Sequence, residues 1–157
     1  MRLNRFLVFI LLLEMCSALT AQFTQIDPGI PVFQYGYIAP GDFDNDGDLD
    51  LFVLGNNNDL NRAVLYRNDD NWIFTQTDFV FPAFSRGSAS WGDFDKDGWL
   101  DLAVSGALNP NAYASHFKLY RNLQGQGFQE INTSLPQVHR SHHVWADYRN
   151  DGNLDLV

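Results

Sequence analysis

The sequence predicts an all-β protein built from repeated units of four antiparallel strands. Two observations support this fold class. An aspartate-rich loop recurs along the chain at intervals of 51 and 54 residues. Short apolar runs rich in β-branched and aromatic residues flank these loops, and outside the N-terminus no stretch shows the 3.6-residue period of a helix. Internal periods of about 50 residues are typical of solenoids, propellers and arrays.

Residues 1–21 are predicted to form a secretory signal peptide. Two arginines open the segment, an apolar stretch follows at 6–13, and small residues lead to Ala21. The apolar stretch is too short to span a bilayer. We therefore expect export, cleavage after Ala21 and no membrane span. A lipid anchor on Cys16 is the alternative, which the bulky Met15 before it disfavours.

The mature chain is expected to contain no disulfide, because Cys16 is the only cysteine. An exported all-β domain of this size needs another stabilising element, and a bound metal ion can supply one. An exported chain without disulfides also favours a bacterial source. The net charge is −9, and no basic stretch resembles a nucleic-acid footprint. We therefore expect no nucleic-acid partner.

Three loops carry the repeated acidic pattern. Loop one (42–50) reads D-F-D-N-D-G-D-L-D, loop two (93–101) reads D-F-D-K-D-G-W-L-D, and loop three (147–155) reads D-Y-R-N-D-G-N-L-D. Carboxylates packed this closely repel one another, and a divalent cation removes that conflict. Oxygen ligands at alternate positions, with a glycine for the sharp turn, suit Ca²⁺. The loops are therefore predicted calcium sites, with solvated acidic turns as the alternative.

The predicted ligands occupy positions 1, 3, 5, 7 and 9 of loops one and two, and positions 1, 5, 7 and 9 of loop three. At position 7 we expect the backbone carbonyl to bind, because the indole of Trp99 offers no oxygen ligand. The set is Asp42, Asp44, Asp46, Asp48 and Asp50 in loop one; Asp93, Asp95, Asp97, Trp99 and Asp101 in loop two; and Asp147, Asp151, Asn153 and Asp155 in loop three.

Loop three is expected to bind calcium more weakly than the others, because Arg149 stands at position 3. One alternative has Arg149 turned inward, where it pairs with Asp147 and Asp151 in place of the cation. The other has it turned outward, which leaves a partial site. None of the loops is an EF-hand, because that motif needs a bidentate glutamate at position 12. Counted from Asp42, position 12 is Val53.

Each repeat is predicted to hold four short strands. In the second repeat these are 88–92, 100–105, 116–121 and 127–132, with a turn at 109–111 between the middle two. Runs such as L-F-V-L at 51–54 are apolar on both faces, which is typical of sheets stacked between neighbours, as propeller blades are.

The chain resembles the FG-GAP or VCBS repeat family of integrin-like, calcium-binding β-propellers. The resemblance is carried by the three D-x-D-x-D-G-type loops, by W-G-D or W-A-D before two of them, and by L-Y-R-N at 65–68 and 119–122. It implies four-stranded blades, usually seven in a closed ring, with the calcium loop between the first two strands. We expect 22–157 to form about two and a half blades, the N-terminal part of a larger propeller.

The leading functional hypothesis is a secreted scaffold that binds extracellular proteins or glycans, in adhesion for example. We expect no enzymatic activity, because the sequence has no nucleophile elbow, phosphate-binding glycine loop or zinc spacing. Alternatives are a propeller within a secreted polysaccharide-degrading enzyme and a structural spacer. Trp72 and Trp99 do not recur and are weak candidates for ligand stacking. The sequence assigns no role to His139, His142 and His143. By repeat equivalence with Ser88 and Ala89, His142 and His143 are expected on the strand that enters loop three, where adjacent side chains face opposite sides and cannot bind one ion together.

Overall fold

The computed structural model describes residues 27–69, 73–108 and 114–157, and every helix or strand within them is a β-strand. The predicted signal peptide, the turn at 109–111 and Trp72 lie outside the described residues. The strands are β1 (Gln34–Gly41), β2 (Asp50–Asn57), β3 (Leu60–Asn68), β4 (Phe74–Gln76), β5 (Ala89–Gly92), β6 (Asp101–Ala107), β7 (Ser115–Asn122), β8 (Phe128–Ile131), β9 (Trp145–Ala146) and β10 (Asp155–Leu156).

Within the described ranges the strands form two four-stranded sheets and one strand pair. The first sheet has the order β1-β2-β3-β4 and is called blade one; the second has the order β5-β6-β7-β8 and is called blade two. Strands β9 and β10 pair in the third repeat. All neighbouring strands run antiparallel, as hairpin-connected strands do. The predicted fold class is therefore confirmed: an all-β chain of four-stranded antiparallel units.

The strands predicted for the second repeat agree with β5 to β8 to within two residues at each end. In the third repeat the prediction was wrong at one point, because His142 and His143 were expected on the strand that enters loop three. The regular strand begins only at Trp145. Its pairing is extended by two backbone hydrogen bonds between Val144 and Val157, at 2.9 and 3.0 Å.

The main core lies between blade one and blade two. Phe52, Leu54 and Leu65 of blade one face Leu102 and Val104 of blade two within a single buried cluster. Ala103, which lies between Leu102 and Val104 in β6, belongs to a second cluster on the opposite face of blade two. That cluster comprises Ala103, Phe117 and Leu119, with Phe94, Ile131, Trp145 and Leu156 packed against it. Strand β6 therefore buries both faces, as the apolar runs predict.

A repeated tryptophan–glycine contact joins neighbouring repeats. The indole of Trp91 lies so close to Gly41 that an added Cβ would be 2.5 Å from the ring. Trp145 lies in the same way on Gly92, one blade further along. The indole nitrogen of Trp91 also donates a hydrogen bond to the carbonyl of Ala39 at 3.1 Å. The residue before each loop aspartate is therefore a glycine in blades one and two because a tryptophan ring covers it.

The three histidines of the third repeat contact separate partners and do not form a common site. Their contacts are His139 Nδ1 with Ser115 Oγ at 2.7 Å, the His142 ring with the Tyr37 ring at 5.6 Å, and His143 Nδ1 with Ser88 Oγ at 2.9 Å. His143 also meets the edge of Phe117, and its Nε2 is buried with no hydrogen-bond partner. These contacts attach the third repeat to the first two.

We expect the third repeat to loosen from blade two as the pH falls through about 6.5. Burial lowers the pKa of His143 below its ordinary value of 6.5, and the neighbouring His142 adds to this. The imidazole therefore binds a proton more readily in the unfolded chain than in the folded one. The contribution of neutral His143 to the free energy of unfolding is complete above pH 6.5 and is lost as the pH falls below that value. Denaturant unfolding between pH 5 and 8 measures the effect.

A His143→Gln variant should lose this part of the pH dependence. The comparison with wild type is needed because burial raises the pKa of Asp50 and Asp101 to about 6. These two carboxyl groups contribute with the opposite sign in the same pH range, since their folded forms bind protons more readily. Identical profiles for wild type and His143→Gln would contradict the assignment.

Candidate metal centres

Each acidic loop connects the first two strands of its repeat. Loop one joins β1 to β2, loop two joins β5 to β6, and loop three joins β9 to β10. The residues on either side of each loop pair directly across the ladder, as Gly41 with Asp50 and Gly92 with Asp101 do. The loops are therefore hairpin connections, and their position-9 aspartates already belong to the second strand.

Backbone hydrogen bonds to the position-1 aspartate fold each loop. In loop one the two oxygens of Asp42 accept N–H bonds from Asp46 at 3.1 Å and Gly47 at 3.0 Å. Loops two and three repeat this arrangement at 2.8 to 3.0 Å. The glycine at position 6 has a φ of 97° in loop one, 88° in loop two and 81° in loop three. This left-handed conformation favours glycine and explains why the pattern contains one there.

The position-9 aspartates are the most buried acidic groups in the two complete loops. Asp50 has no exposed surface, and its two oxygens accept backbone N–H bonds from Phe43 at 3.0 Å and Asn68 at 2.9 Å. Asp101 repeats these bonds at 3.0 and 2.8 Å. Burial raises the pKa of both groups to about 6, although the two hydrogen bonds act in the opposite direction. A cation bound beside either carboxylate would stabilise its ionised form and oppose the effect of burial.

Three carboxylates converge in loop one and three in loop two. One oxygen from each of Asp42, Asp44 and Asp50 lies within 4.8 Å of the others, and Asp93, Asp95 and Asp101 form the equivalent group. Asp44 Oδ1 is buried and has no hydrogen-bond partner. Burial, with the charge of Asp46 adding to it, raises the pKa of Asp44. An all-oxygen donor set with an unpaired buried oxygen fits a hard divalent cation such as Ca²⁺.

Comparison with known proteins identifies the repeat. The FG-GAP-like repeat family matches residues 24–104, just over half of the chain, a segment that contains loops one and two complete. The chain belongs to the FG-GAP-like repeat family. The resemblance predicted from the loops and the L-Y-R-N segments is thereby confirmed. No curated protein and no solved structure matches the chain significantly.

The FG-GAP-like loops bring some predicted ligands together and leave others apart. Asp46 and Asp97, at position 5, are not members of the converging groups. Their Oδ1 atoms accept the backbone N–H of position 7, from Asp48 at 2.9 Å and Trp99 at 3.1 Å. Positions 1, 3 and 9 thus form the converging set in both loops. The ligand roles of position 5 and of the position-7 carbonyls stay predictions.

Loop three departs from the other two FG-GAP-like loops. Within the described residues it supplies no converging carboxylate group. Arg149 turns inward and pairs with Asp155, with Nε 3.3 Å from Oδ2, while Asp151 Oδ2 lies 3.9 Å away. The inward alternative named Asp147 and Asp151 as partners, and only Asp151 is within ion-pair distance. Asp147 was a wrong assignment: its oxygens accept backbone N–H bonds from its own loop instead. The guanidinium lowers the pKa of Asp155.

Sequence reasoning missed the side chains of the L-Y-R-N segments as part of the site. The asparagine of the second segment, Asn122, donates to the carbonyls of Phe43 at 2.7 Å and Leu100 at 3.0 Å, and so ties loop one to loop two. Asn45 adds a direct bond between the loops, to the carbonyl of Gly98 at 3.0 Å. The signal that could have revealed this role was the recurrence of L-Y-R-N itself.

Trp99 was a candidate for stacking on a ligand. Trp99 is half-buried, and its ring lies where a Cβ added to Gly125 would be 3.2 Å away. It packs against its own protein, which weakens the hypothesis that it stacks on a ligand.

Across the described part of the chain, no helix has the length and apolar character needed to cross a membrane.

Proposed function

We infer that this FG-GAP-like protein is an exported, calcium-binding scaffold whose blades present a surface to extracellular proteins or glycans. The observation that carries the calcium part is the convergence of three carboxylates in each of loops one and two, with Asp44 Oδ1 buried and unpaired. Export is inferred from the signal-peptide pattern at the N-terminus, and binding from the family, whose repeats are typical of extracellular proteins.

Calcium would act in this protein as a structural ion. Asp42, Asp44 and Asp50 would hold it in loop one, and their counterparts would hold it in loop two. The ion would neutralise carboxylates that repel one another and would fix the turn between the first two strands of a blade. We expect affinities in the range of extracellular modules, with dissociation constants on the order of 10⁻⁴ to 10⁻³ M. No catalytic role is proposed, because cation binding accounts for the converging carboxylates.

The binding role is tested on arrays of extracellular proteins and glycans. The protein is applied in about 2 mM Ca²⁺ and again in EDTA, beside a double variant, Asp44→Asn with Asp95→Asn, that removes one converging carboxylate from each loop. We expect a ligand signal in calcium that falls at least about tenfold in EDTA and in the double variant. An equal signal in all three conditions would show that ligand binding does not depend on calcium, and it would contradict the proposal. Release of new reducing ends from a polysaccharide would support the enzyme alternative instead.

A further inference from the structure

Two equivalent arginines are used differently in the two blades. Arg67 and Arg121 occupy the same place in the two L-Y-R-N segments. In blade one the Nε of Arg67 bonds to Asp69 Oδ1 at 2.6 Å. In blade two Arg121 turns to loop two instead. Its Nε lies 2.6 Å from Asp95 Oδ2, an ion-pair contact not aligned as a hydrogen bond, and its Nη2 donates to Asp97 at 3.3 Å.

One sequence difference explains the two orientations. The residue two positions after the arginine is Asp69 in blade one and Leu123 in blade two. An aspartate there offers the arginine a carboxylate outside the loop. A leucine, 44% exposed, offers none, so the guanidinium of Arg121 finds its nearest carboxylates in the loop. The position after L-Y-R-N thus decides where the arginine's charge lies.

The orientation of the arginine changes what a cation meets in each loop. In loop two the carboxylates at positions 3 and 5 are already paired with a positive charge. In loop one the arginine pairs directly with Asp69. Its charge still lies near Asp44 and Asp46 but pairs with neither, and Asp44 keeps a buried oxygen without a hydrogen-bond partner. Calcium binding that breaks this pair loses the free energy of the pair, because affinity is measured relative to the calcium-free loop. The fixed charge also repels the ion directly.

We propose that Asp69 and Leu123 tune the calcium affinity of their loops by holding the arginine away from the ligand aspartates or leaving it on them. Loop one then binds calcium more tightly than loop two, and loop three, where Arg149 pairs with the position-9 aspartate, binds most weakly. The proposal rests on calcium binding by the loops, as proposed above. Arg121 makes two partly exposed ion pairs, each worth less than about 1 kcal/mol, so the expected difference between loops one and two is about five- to tenfold in dissociation constant.

A reciprocal exchange tests the proposal in the full chain. Calcium affinity is measured by calorimetry, with loop one silenced by Asp44→Asn when loop two is studied, and loop two silenced by Asp95→Asn when loop one is studied. Leu123→Asp should tighten loop two about five- to tenfold, and Asp69→Leu should weaken loop one by a similar factor. Leu123→Asn is the matched control of the same size without charge, and it should produce less than about a twofold change.

A double-mutant cycle separates the redirected arginine from the added negative charge. Arg121→Gln alone should tighten loop two about as much as Leu123→Asp does, and adding Leu123→Asp to it should change the affinity by less than about twofold. In EDTA, Arg121→Gln should also melt at a lower temperature than its parent, because the calcium-free loop has lost its counter-charge.

Four outcomes would overturn the inference. If Arg121→Gln weakens calcium binding by loop two, the arginine orients the ligands. If it leaves the affinity unchanged, the arginine has no effect on binding. A Leu123→Asp effect that persists in full without Arg121 would assign it to charge alone. Absence of calcium binding in wild type and in every variant at about 10 mM Ca²⁺ would remove the proposed function itself, and this result is distinguishable from the other three.

Discussion

Replacement of Asp101 by alanine is expected to lower the free energy of unfolding by about 3–5 kcal/mol, even in EDTA. Asp101 has no exposed surface, and its carboxylate accepts backbone N–H bonds from Phe94 at 3.0 Å and Asn122 at 2.8 Å. Alanine leaves the buried N–H of Asn122 and the part-buried N–H of Phe94 without a partner, at about 1–3 kcal/mol each. These bonds also join the start of β6 to the end of β7 and to loop two, so the loss should loosen blade two.

The control for this prediction is Asp97→Ala in the same loop. Asp97 makes its hydrogen bonds, from Trp99 N–H and Arg121, at the solvent-exposed side of the loop. Its replacement should therefore cost less than about 1 kcal/mol in EDTA. Both variants remove one predicted calcium ligand, so only the structural role of Asp101 separates them in the absence of calcium. Chemical denaturation in EDTA measures the difference. Equal, small losses for the two variants would mean that Asp101 serves as a ligand alone.

Trp91→Ala is expected to lower the free energy of unfolding by about 3–4 kcal/mol. The indole fills the contact between blades one and two, with its ring 6.3 Å from that of Phe52 and 6.1 Å from that of Phe128. It also covers Gly41. Since each blade buries its faces only against a neighbour, this loss should separate the blades and should broaden the unfolding transition as well as shift it.

Two further variants distinguish the parts of the Trp91 contact. Trp91→Phe keeps most of the ring but loses the bond to Ala39, and it should cost about 1–2 kcal/mol. Trp99→Ala, at a half-buried tryptophan in loop two, should cost less than Trp91→Ala because its ring lies outside the core clusters. A Trp99→Ala variant that proved as destabilising as Trp91→Ala would contradict the assignment of Trp91 as the inter-blade contact.

The strands and loops could be predicted because their signals are local. The strand predicted at 116–121 is observed as β7, Ser115–Asn122, since apolar alternation and flanking turn residues act over a few positions. The loop boundaries follow from glycine and aspartate chemistry within nine residues. The double burial of β6 was also predictable, because a run that is apolar on both faces has few other solutions.

Contacts between distant parts of the chain could not be predicted in the same way. Asn122 reaches the carbonyl of Phe43, 79 residues earlier in the sequence, and nothing near Asn122 specifies that partner. The inward turn of Arg149 was one of two alternatives, and its pairing with Asp155 depends on how loop three folds. His143 was expected on a strand, yet its contact with Ser88 is made from an irregular segment. Repeat equivalence gives the position of such residues but not their partners.

The central claim, that loops one and two are calcium sites, is tested most directly by calorimetric titration of the protein with Ca²⁺. We predict two binding events with dissociation constants on the order of 10⁻⁴ to 10⁻³ M, both absent in the Asp44→Asn, Asp95→Asn double variant. At about 10 mM Ca²⁺ each site should add roughly 1.4–2.7 kcal/mol to the free energy of unfolding, visible as a higher melting temperature. Neither heat of binding nor a thermal shift at about 10 mM Ca²⁺ would contradict the claim.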